Sequence, residues 1–138
     1  MVVSWTLEFP TTGGTDVLDV TSEASEFVAA NEIRDGILLV FTPGSTAGVT
    51  TLEYEPGAVS DLKRVLEFLA PREQEYEHNR RWGDGNGFSH IRSALVGPSL
   101  AVPVTEGRLE LGTWQQIVLC DFDNRPRTRR MTLKLIGK

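Results

Sequence analysis

The order of apolar segments along the chain is the feature that most limits its fold. Segments with the apolar alternation typical of strands open and close the chain, and only two long segments between them repeat at helical spacing. A doubly wound parallel sheet needs regular strand–helix alternation, which this order lacks. We therefore expect an α+β fold: a single compact domain over residues 1–138, with mostly antiparallel β-sheet, two main helices and one short helix.

Strand and helix boundaries follow from the same pattern. Ser22 is the predicted cap of a first helix that ends by Gly36, Pro56 begins the second, and residues 89–96 form the short helix. The run from Ile37 to Phe41 is apolar throughout, which predicts a strand buried on both faces. The predicted strands are 2–9, 17–21, 37–43, 49–55, 99–104, 114–122 and 130–136.

Charge and cysteine content exclude several classes of protein. The 14 Lys+Arg and 19 Asp+Glu residues give a net charge of −5, which argues against a general nucleic-acid binder. Six basic and no acidic residues follow position 123, a pattern typical of a solvated face or subunit contact, or of a strip that attracts anions. No apolar run approaches the length of a membrane span. With no export signal and the single Cys120, expected to be buried, we predict a cytoplasmic protein.

The two histidines are the first candidates for chemistry. His78 and His90 flank a glycine-rich loop at the end of a polar segment, residues 72–87, that has no apolar period. So long a segment without regular structure in a compact domain is more often functional than idle. Two imidazoles and one carboxylate, from Glu53, Glu55 or Asp84, suit catalytic zinc. The alternative is that each histidine only makes hydrogen bonds within a loop.

Anion binding is the second candidate chemistry. The tight turn around Gly44 offers backbone N–H groups and two hydroxyls. Arginines near the histidines can bind phosphate oxygens with two hydrogen bonds each, although surface arginines are usually only solvated. The candidate phosphate- or substrate-binding residues are Ser45, Thr46, Arg80, Arg81, Arg92 and Asn86.

Several motifs in one order resemble the YjbQ family, from about residue 36 to residue 137. Members of that family are described as secondary thiamine-phosphate synthases or are left uncharacterised. His78 and His90 match the two later histidines of the family, and Ser93 and Gly97 match a further motif. One departure is Gly44, where many members carry histidine. The motifs are PGSTAGVT (43–50), EYEP (53–56), YEHN (76–79), SHIRSALVGPSL (89–100) and LGTWQQ (111–116).

The resemblance implies a compact α+β protein that assembles as a homotrimer, with a polar cleft near subunit contacts. It implies catalytic roles for His78, His90 and Glu55, and a divalent metal, zinc rather than magnesium, on His78, His90 and Glu53. The reaction would join a pyrimidine diphosphate to a thiazole phosphate with loss of pyrophosphate. The alternative is a trimeric, non-catalytic binder of a small phosphorylated or anionic molecule. Neither nucleic acid nor a membrane is an expected partner.

Overall fold

The computed structural model describes all residues from 1 to 138. Two antiparallel sheets and four helices make up the chain. None of the helices has the length and hydrophobicity needed to cross a bilayer. In chain order the elements are β1 (Val2–Pro10), β2 (Asp16–Asp19), α1 (Thr21–Ala29), β3 (Gly36–Phe41), β4 (Ala47–Leu52), α2 (Pro56–Leu69), α3 (Glu77–Trp82), α4 (Gly87–Val96), β5 (Ser99–Thr105), β6 (Arg108–Leu109), β7 (Gln116–Asp121) and β8 (Thr128–Gly137).

The two sheets stack as layers around two cores. A five-stranded sheet has the order β1-β8-β3-β5-β6, and a three-stranded sheet has the order β2-β7-β4. The larger core is shared by α1 and the inner faces of both sheets. The smaller core lies between the three-stranded sheet and α2. Strand β7 serves both, since Ile117 and Leu119 belong to the larger core and Val118 and Cys120 to the smaller. All strand pairs are antiparallel, which confirms the predicted α+β class.

The prediction that β3 is buried on both faces is wrong. Leu38 and Val40 are fully buried, but Ile37 and Phe41 are 51% and 38% exposed. Successive side chains of a strand alternate between faces, and only one face of the five-stranded sheet is covered by the larger core. The other face therefore presents apolar side chains from the middle strand.

Two predictions about the helices also differ from the structure. The segment 72–87 is not without structure, because it contains α3, whose six residues are too few and too polar to show a helical period. Helix α1 begins at Thr21 with no side-chain cap, so Ser22 does not cap it. Pro56 does stand at the start of α2, as predicted.

Strand β8 allows a direct test of which face is buried. Leu133→Ala removes a side chain with no exposed surface and should lower the free energy of unfolding by about 3 kcal/mol. The neighbouring Lys134→Ala change, on the exposed face, should alter it by less than about 0.5 kcal/mol. Urea denaturation of both variants measures the difference, and equal losses would contradict the orientation of the strand.

Candidate functional site

The candidate site is a cleft of about 480 Å³. It is lined by titratable side chains that the two sheets and the polar segment bring together. Three parts of the chain form it: the β3–β4 loop, the segment from α3 to α4, and the β7–β8 turn with the start of β8. Its polar lining distinguishes it from the more apolar groove beside Trp5 and Phe27. The lining residues are Gly44, Ser45, Thr46, His78, Trp82, Asp84, Asn86, His90, Arg127 and Arg129.

Arg129 is the centre of a buried hydrogen-bond network beneath the cleft. Its Nε and Nη2 atoms each donate to an oxygen of Asp121 at 2.9 Å, and Nη2 also donates to the Thr46 hydroxyl at 2.6 Å. Asp121 accepts a further hydrogen bond from Thr11 Oγ1 at 2.6 Å. Burial raises the pKa of Asp121, but the hydrogen bonds from Arg129 and Thr11 lower it by more. The buried pair is therefore charged, as its bidentate geometry requires.

Asp123 extends this network to the residues of the cleft wall. It accepts hydrogen bonds from the Asn124 N–H at 2.8 Å, Asn86 Nδ2 at 3.2 Å and Arg127 Nε at 2.8 Å. The Thr46 hydroxyl donates to it at 3.2 Å. Burial raises the pKa of Asp123, but its hydrogen bonds outweigh burial and bring the pKa to about 2. An ionised carboxylate at neutral pH thus holds Arg127, Asn86 and the β3–β4 loop around one point.

The two histidines meet because a short helix turns back on the next one. Helix α3 ends at Trp82 and is followed by Gly83, whose φ of +71° favours glycine. Asn79 Oδ1 accepts a hydrogen bond from the Gly87 N–H at 2.8 Å. The ring centroids of His78 and His90 lie 4.2 Å apart. His78 Nδ1 has no hydrogen-bond partner and lies 3.5 Å from an oxygen of Asp84. The imidazoles are therefore close enough for a charge on one ring to oppose a charge on the other.

Electrostatics favour the neutral form of His90. Burial is the largest effect and lowers the pKa of His90 below its ordinary value, and the adjacent His78 lowers it further. Asp84 and Asp123 act in the opposite direction but do not cancel these effects. A neutral imidazole has one nitrogen free to accept a proton or to bind a ligand.

The cationic end of the cleft offers hydrogen-bond donors that the protein itself does not use. Arg127 and Arg129 each donate through Nε or Nη2, and the Nη1 atom of each makes no hydrogen bond to the protein. The backbone N–H groups of Gly44, Ser45 and Thr46 also donate to no protein acceptor. Guanidinium groups and unpaired loop N–H groups are the donors that phosphate binds in proteins.

Six of the sequence-predicted site residues line this cleft: His78, His90, Asp84, Ser45, Thr46 and Asn86. Two of them have limited capacity for a ligand. The Thr46 hydroxyl already accepts from Arg129 and donates to Asp123. Asn86 is 94% buried, since its relative exposure is 6%, and its Nδ2 is bonded to Asp123. Both residues therefore support the cleft wall.

The other predicted residues lie elsewhere. Glu55 caps α2 by accepting the N–H groups of Gly57 and Ala58 at 2.7 Å, and neither Glu53 nor Glu55 lines the cleft. Exposed Arg80 pairs with Glu75 at 2.6 Å, and Arg81 is exposed without an ion pair. Exposed arginine side chains of this kind are usually only solvated.

Arg92 is a structural residue of helix α4. Its Nε donates to the Ala70 carbonyl at 3.0 Å and its Nη2 pairs with Glu67 at 2.5 Å. Its guanidinium also lies over the ring of Phe88, 4.9 Å from the centroid. These contacts fix α4, and with it His90, against the end of α2.

A zinc site needs about four ligands, of which usually three come from the protein. The structure brings together His78, His90 and Asp84, but no group of three or more His, Cys, Asp or Glu side chains has an arrangement that would hold a metal. Glu53, the third ligand implied by the resemblance, does not line the cleft. The residues in this arrangement therefore do not fit a resident metal.

Sequence reasoning missed the residues on which the cleft is built. Asp121 and Asp123 looked like the end of an apolar strand, and Arg127 and Arg129 like part of the basic C-terminal segment. The available signal was their spacing: two acids at alternate positions, followed after a short turn by two arginines at alternate positions. Trp82, 72% exposed at the cleft, was also not assigned a role.

Comparisons with known proteins agree with this architecture. The family model described as "UPF0047 protein YjbQ-like" matches residues 5–138. A UPF0047 protein of Archaeoglobus fulgidus is 39% identical over 121 residues, covering 88% of this chain and 91% of the relative. UPF0047 protein YugU of Bacillus subtilis is 38% identical over 133 residues, covering 96% and 98%.

Two solved structures share the fold over nearly their full length. A YbjQ-like protein of unknown function from Sulfolobus solfataricus superposes with a TM-score of 0.90 at 26% identity, covering 100% of both chains. A hypothetical protein from Aeropyrum pernix superposes with a TM-score of 0.86 at 32% identity, covering 97% of this chain and 99% of that one.

The histidine pair supports a test of the cleft's electrostatics. His78→Gln removes the imidazole whose electrostatic repulsion lowers the pKa of His90, so that pKa should rise. Asp84→Asn removes a favourable negative charge and should lower that pKa further. Because the pKa of native His90 is already low, its protonation should reduce stability as the pH falls below the ordinary histidine value.

NMR titration of the imidazole resonances measures these shifts, and with two histidines in the chain the assignment is simple. The wild-type His90 pKa should lie below 6.5, the ordinary value. A wild-type pKa above that value, or an increase in the Asp84→Asn variant, would contradict the arrangement described.

Proposed function

The chain belongs to the YjbQ-like UPF0047 family, and on that premise we propose that its cleft binds a small phosphorylated molecule. The observation that carries the proposal is the set of unused donors on residues that line the cleft. These are the Nη1 groups of Arg127 and Arg129 and the three N–H groups of residues 44–46. Charge-assisted hydrogen bonds of this kind are about twice as strong as neutral ones.

The histidine pair supplies acid–base chemistry beside the bound phosphate. With the rings 4.2 Å apart, a first proton on the pair opposes a second, so one imidazole acts as a base while the other can act as an acid. Asp84 stands beside the pair, with a carboxylate oxygen 3.5 Å from Nδ1 of His78. The proposed activity is therefore a proton transfer on a phosphorylated substrate.

Thiamine-phosphate synthesis, the activity that the resemblance implies, is a narrower proposal. That reaction needs donors for two phosphorylated substrates and a cation for the leaving pyrophosphate. The cleft supplies one group of unused donors, and its acidic and imidazole side chains do not form a metal site. We therefore favour a ligand with one phosphate group, with or without turnover, over the synthase reaction.

The first experiment measures phosphate binding by isothermal titration calorimetry. Wild-type protein should bind inorganic phosphate, and Arg127→Gln should weaken binding about tenfold because one charge-assisted hydrogen bond is lost. Arg130→Gln is the matched control: Arg130 is exposed on the outer face of the same strand end and should leave binding unchanged.

The outcomes separate the candidate ligands. Equal binding by the two arginine variants, or no binding by wild-type protein, would reject the phosphate site. Titration with zinc alone is a separate arm, and a stoichiometric zinc complex that His78→Ala abolishes would favour the metal instead. Turnover of a pyrimidine diphosphate with a thiazole phosphate would establish the synthase.

We also propose that the chain self-associates, as the trimer implied by the resemblance, through the outer face of its five-stranded sheet. Ile37, Phe41 and Ile136 are 51%, 38% and 47% exposed there, and the register places Ile37 directly between Ile136 and Pro103. Contiguous apolar side chains on a sheet face are typical of an interface. Phe41 precedes Gly44 by three residues, so such an interface would reach the edge of the cleft.

Sedimentation measures this association. Ile37→Lys places a charge in the middle of the apolar face and should convert the assembly to monomers at micromolar concentration. Ser60→Lys adds the same charge on exposed helix α2 and should leave the mass unchanged. A monomeric wild-type protein would reject the proposal.

A further inference from the structure

Gly44 occupies a position that only a residue without a side chain leaves open. It lies in the cleft-lining loop between β3 and β4, with a φ of +127°. A Cβ built on its backbone would lie 3.4 Å from Nη1 of Arg129, within van der Waals contact. A methyl group there would therefore take up space directly beside the atom that a ligand must approach.

Nη1 is also the one guanidinium nitrogen of Arg129 that remains available. Nε and Nη2 are bound to Asp121, and Nη2 also donates to Thr46. Because these partners hold the guanidinium in a fixed plane, Arg129 cannot turn another nitrogen toward the cleft without breaking the buried pair. Access to Arg129 thus depends on the space beside Gly44.

Two other glycines show that backbone conformation alone does not account for this position. Gly83 and Gly97 also have positive φ angles, of +71° and +91°, but a Cβ at either position would meet nothing within 4 Å. At those two positions, glycine is favoured only because the backbone has a positive φ angle. At Gly44 the missing side chain additionally exposes a cationic donor.

We propose that Gly44 determines the specificity of the cleft by keeping Nη1 of Arg129 open to a terminal phosphate. This inference rests on the proposed function and adds the class of ligand, a phosphate monoester. The three terminal oxygens of a monoester can together accept from Nη1 of Arg127, Nη1 of Arg129 and a loop N–H group. A carboxylate has two oxygens and cannot occupy all three donors with one oxygen each.

The test compares Gly44→Ala with Gly97→Ala by calorimetric titration with inorganic phosphate. Both variants place alanine at a positive φ and should lose thermal stability. Gly97→Ala should bind phosphate as tightly as the wild type, whereas Gly44→Ala should bind about tenfold more weakly, as expected for one lost charge-assisted hydrogen bond. In a second titration, acetate should bind wild-type protein more weakly than phosphate does.

The outcomes distinguish this inference from the proposed function. If wild-type protein does not bind phosphate, the proposed function fails and this inference with it. If wild-type protein binds phosphate but Gly44→Ala binds it equally well, the role of Gly44 is overturned. If acetate binds wild-type protein as tightly as phosphate does, the assignment of a phosphate monoester as the ligand is overturned.

A measurement on the wild-type protein tests the inference even if the Gly44→Ala variant does not fold. NMR of the Arg129 guanidinium in the wild-type protein should show a shift of its Nη1 resonance on addition of phosphate. Binding of phosphate with no change at Arg129 would overturn the inference.

Discussion

The ion pair between Arg129 and Asp121 joins the two sheets of the molecule. Asp121 is the last residue of β7 in the three-stranded sheet, and Arg129 lies near the start of β8 in the five-stranded sheet. Two hydrogen bonds of 2.9 Å hold them in a buried position. Removing one partner of such a pair typically costs about 3–5 kcal/mol, because the other charge is left buried and unpaired. The relative position of the sheets is therefore tied to this contact.

The same ion pair also positions the residues of the cleft. Thr46 bridges Arg129 to Asp123, and Asp123 holds Asn86, which stands directly before α4 and its His90. Since the pKa of Asp123 is lowered from 3.8 to about 2, the stability that it contributes is present above its ordinary pKa and is lost as the pH falls toward 2. One network thus orders the structure and supports the candidate site over the same range of pH.

Local sequence patterns predicted the secondary structure, which depends on neighbouring residues. They did not predict the burial and the ion pairs that depend on residues distant in the chain. Hydrophobic periodicity predicted the fold class and the main strands. The position of His78 and His90 around the glycine-rich loop singled them out, and the structure brings them together. Periodicity did not reveal the exposed face of β3, because an apolar run looks the same whether one or both faces are covered. Nor did it pair Asp121 with Arg129, since charges in different elements meet only once the turn between β7 and β8 is folded.

The chain has a net charge of −5, yet the cleft contains cationic hydrogen-bond donors. Both are possible because the acidic side chains bind only some guanidinium nitrogens of the two arginines and leave the others without a partner. Asp121 and Asp123 neutralise the formal charge of Arg129 and Arg127, but they do so through Nε and Nη2. The Nη1 groups keep their hydrogen atoms and a share of the delocalised charge, held by partners that prevent them from turning away. Acidic residues thus orient the donors for an anion, and a count of charges along the chain does not reveal this arrangement.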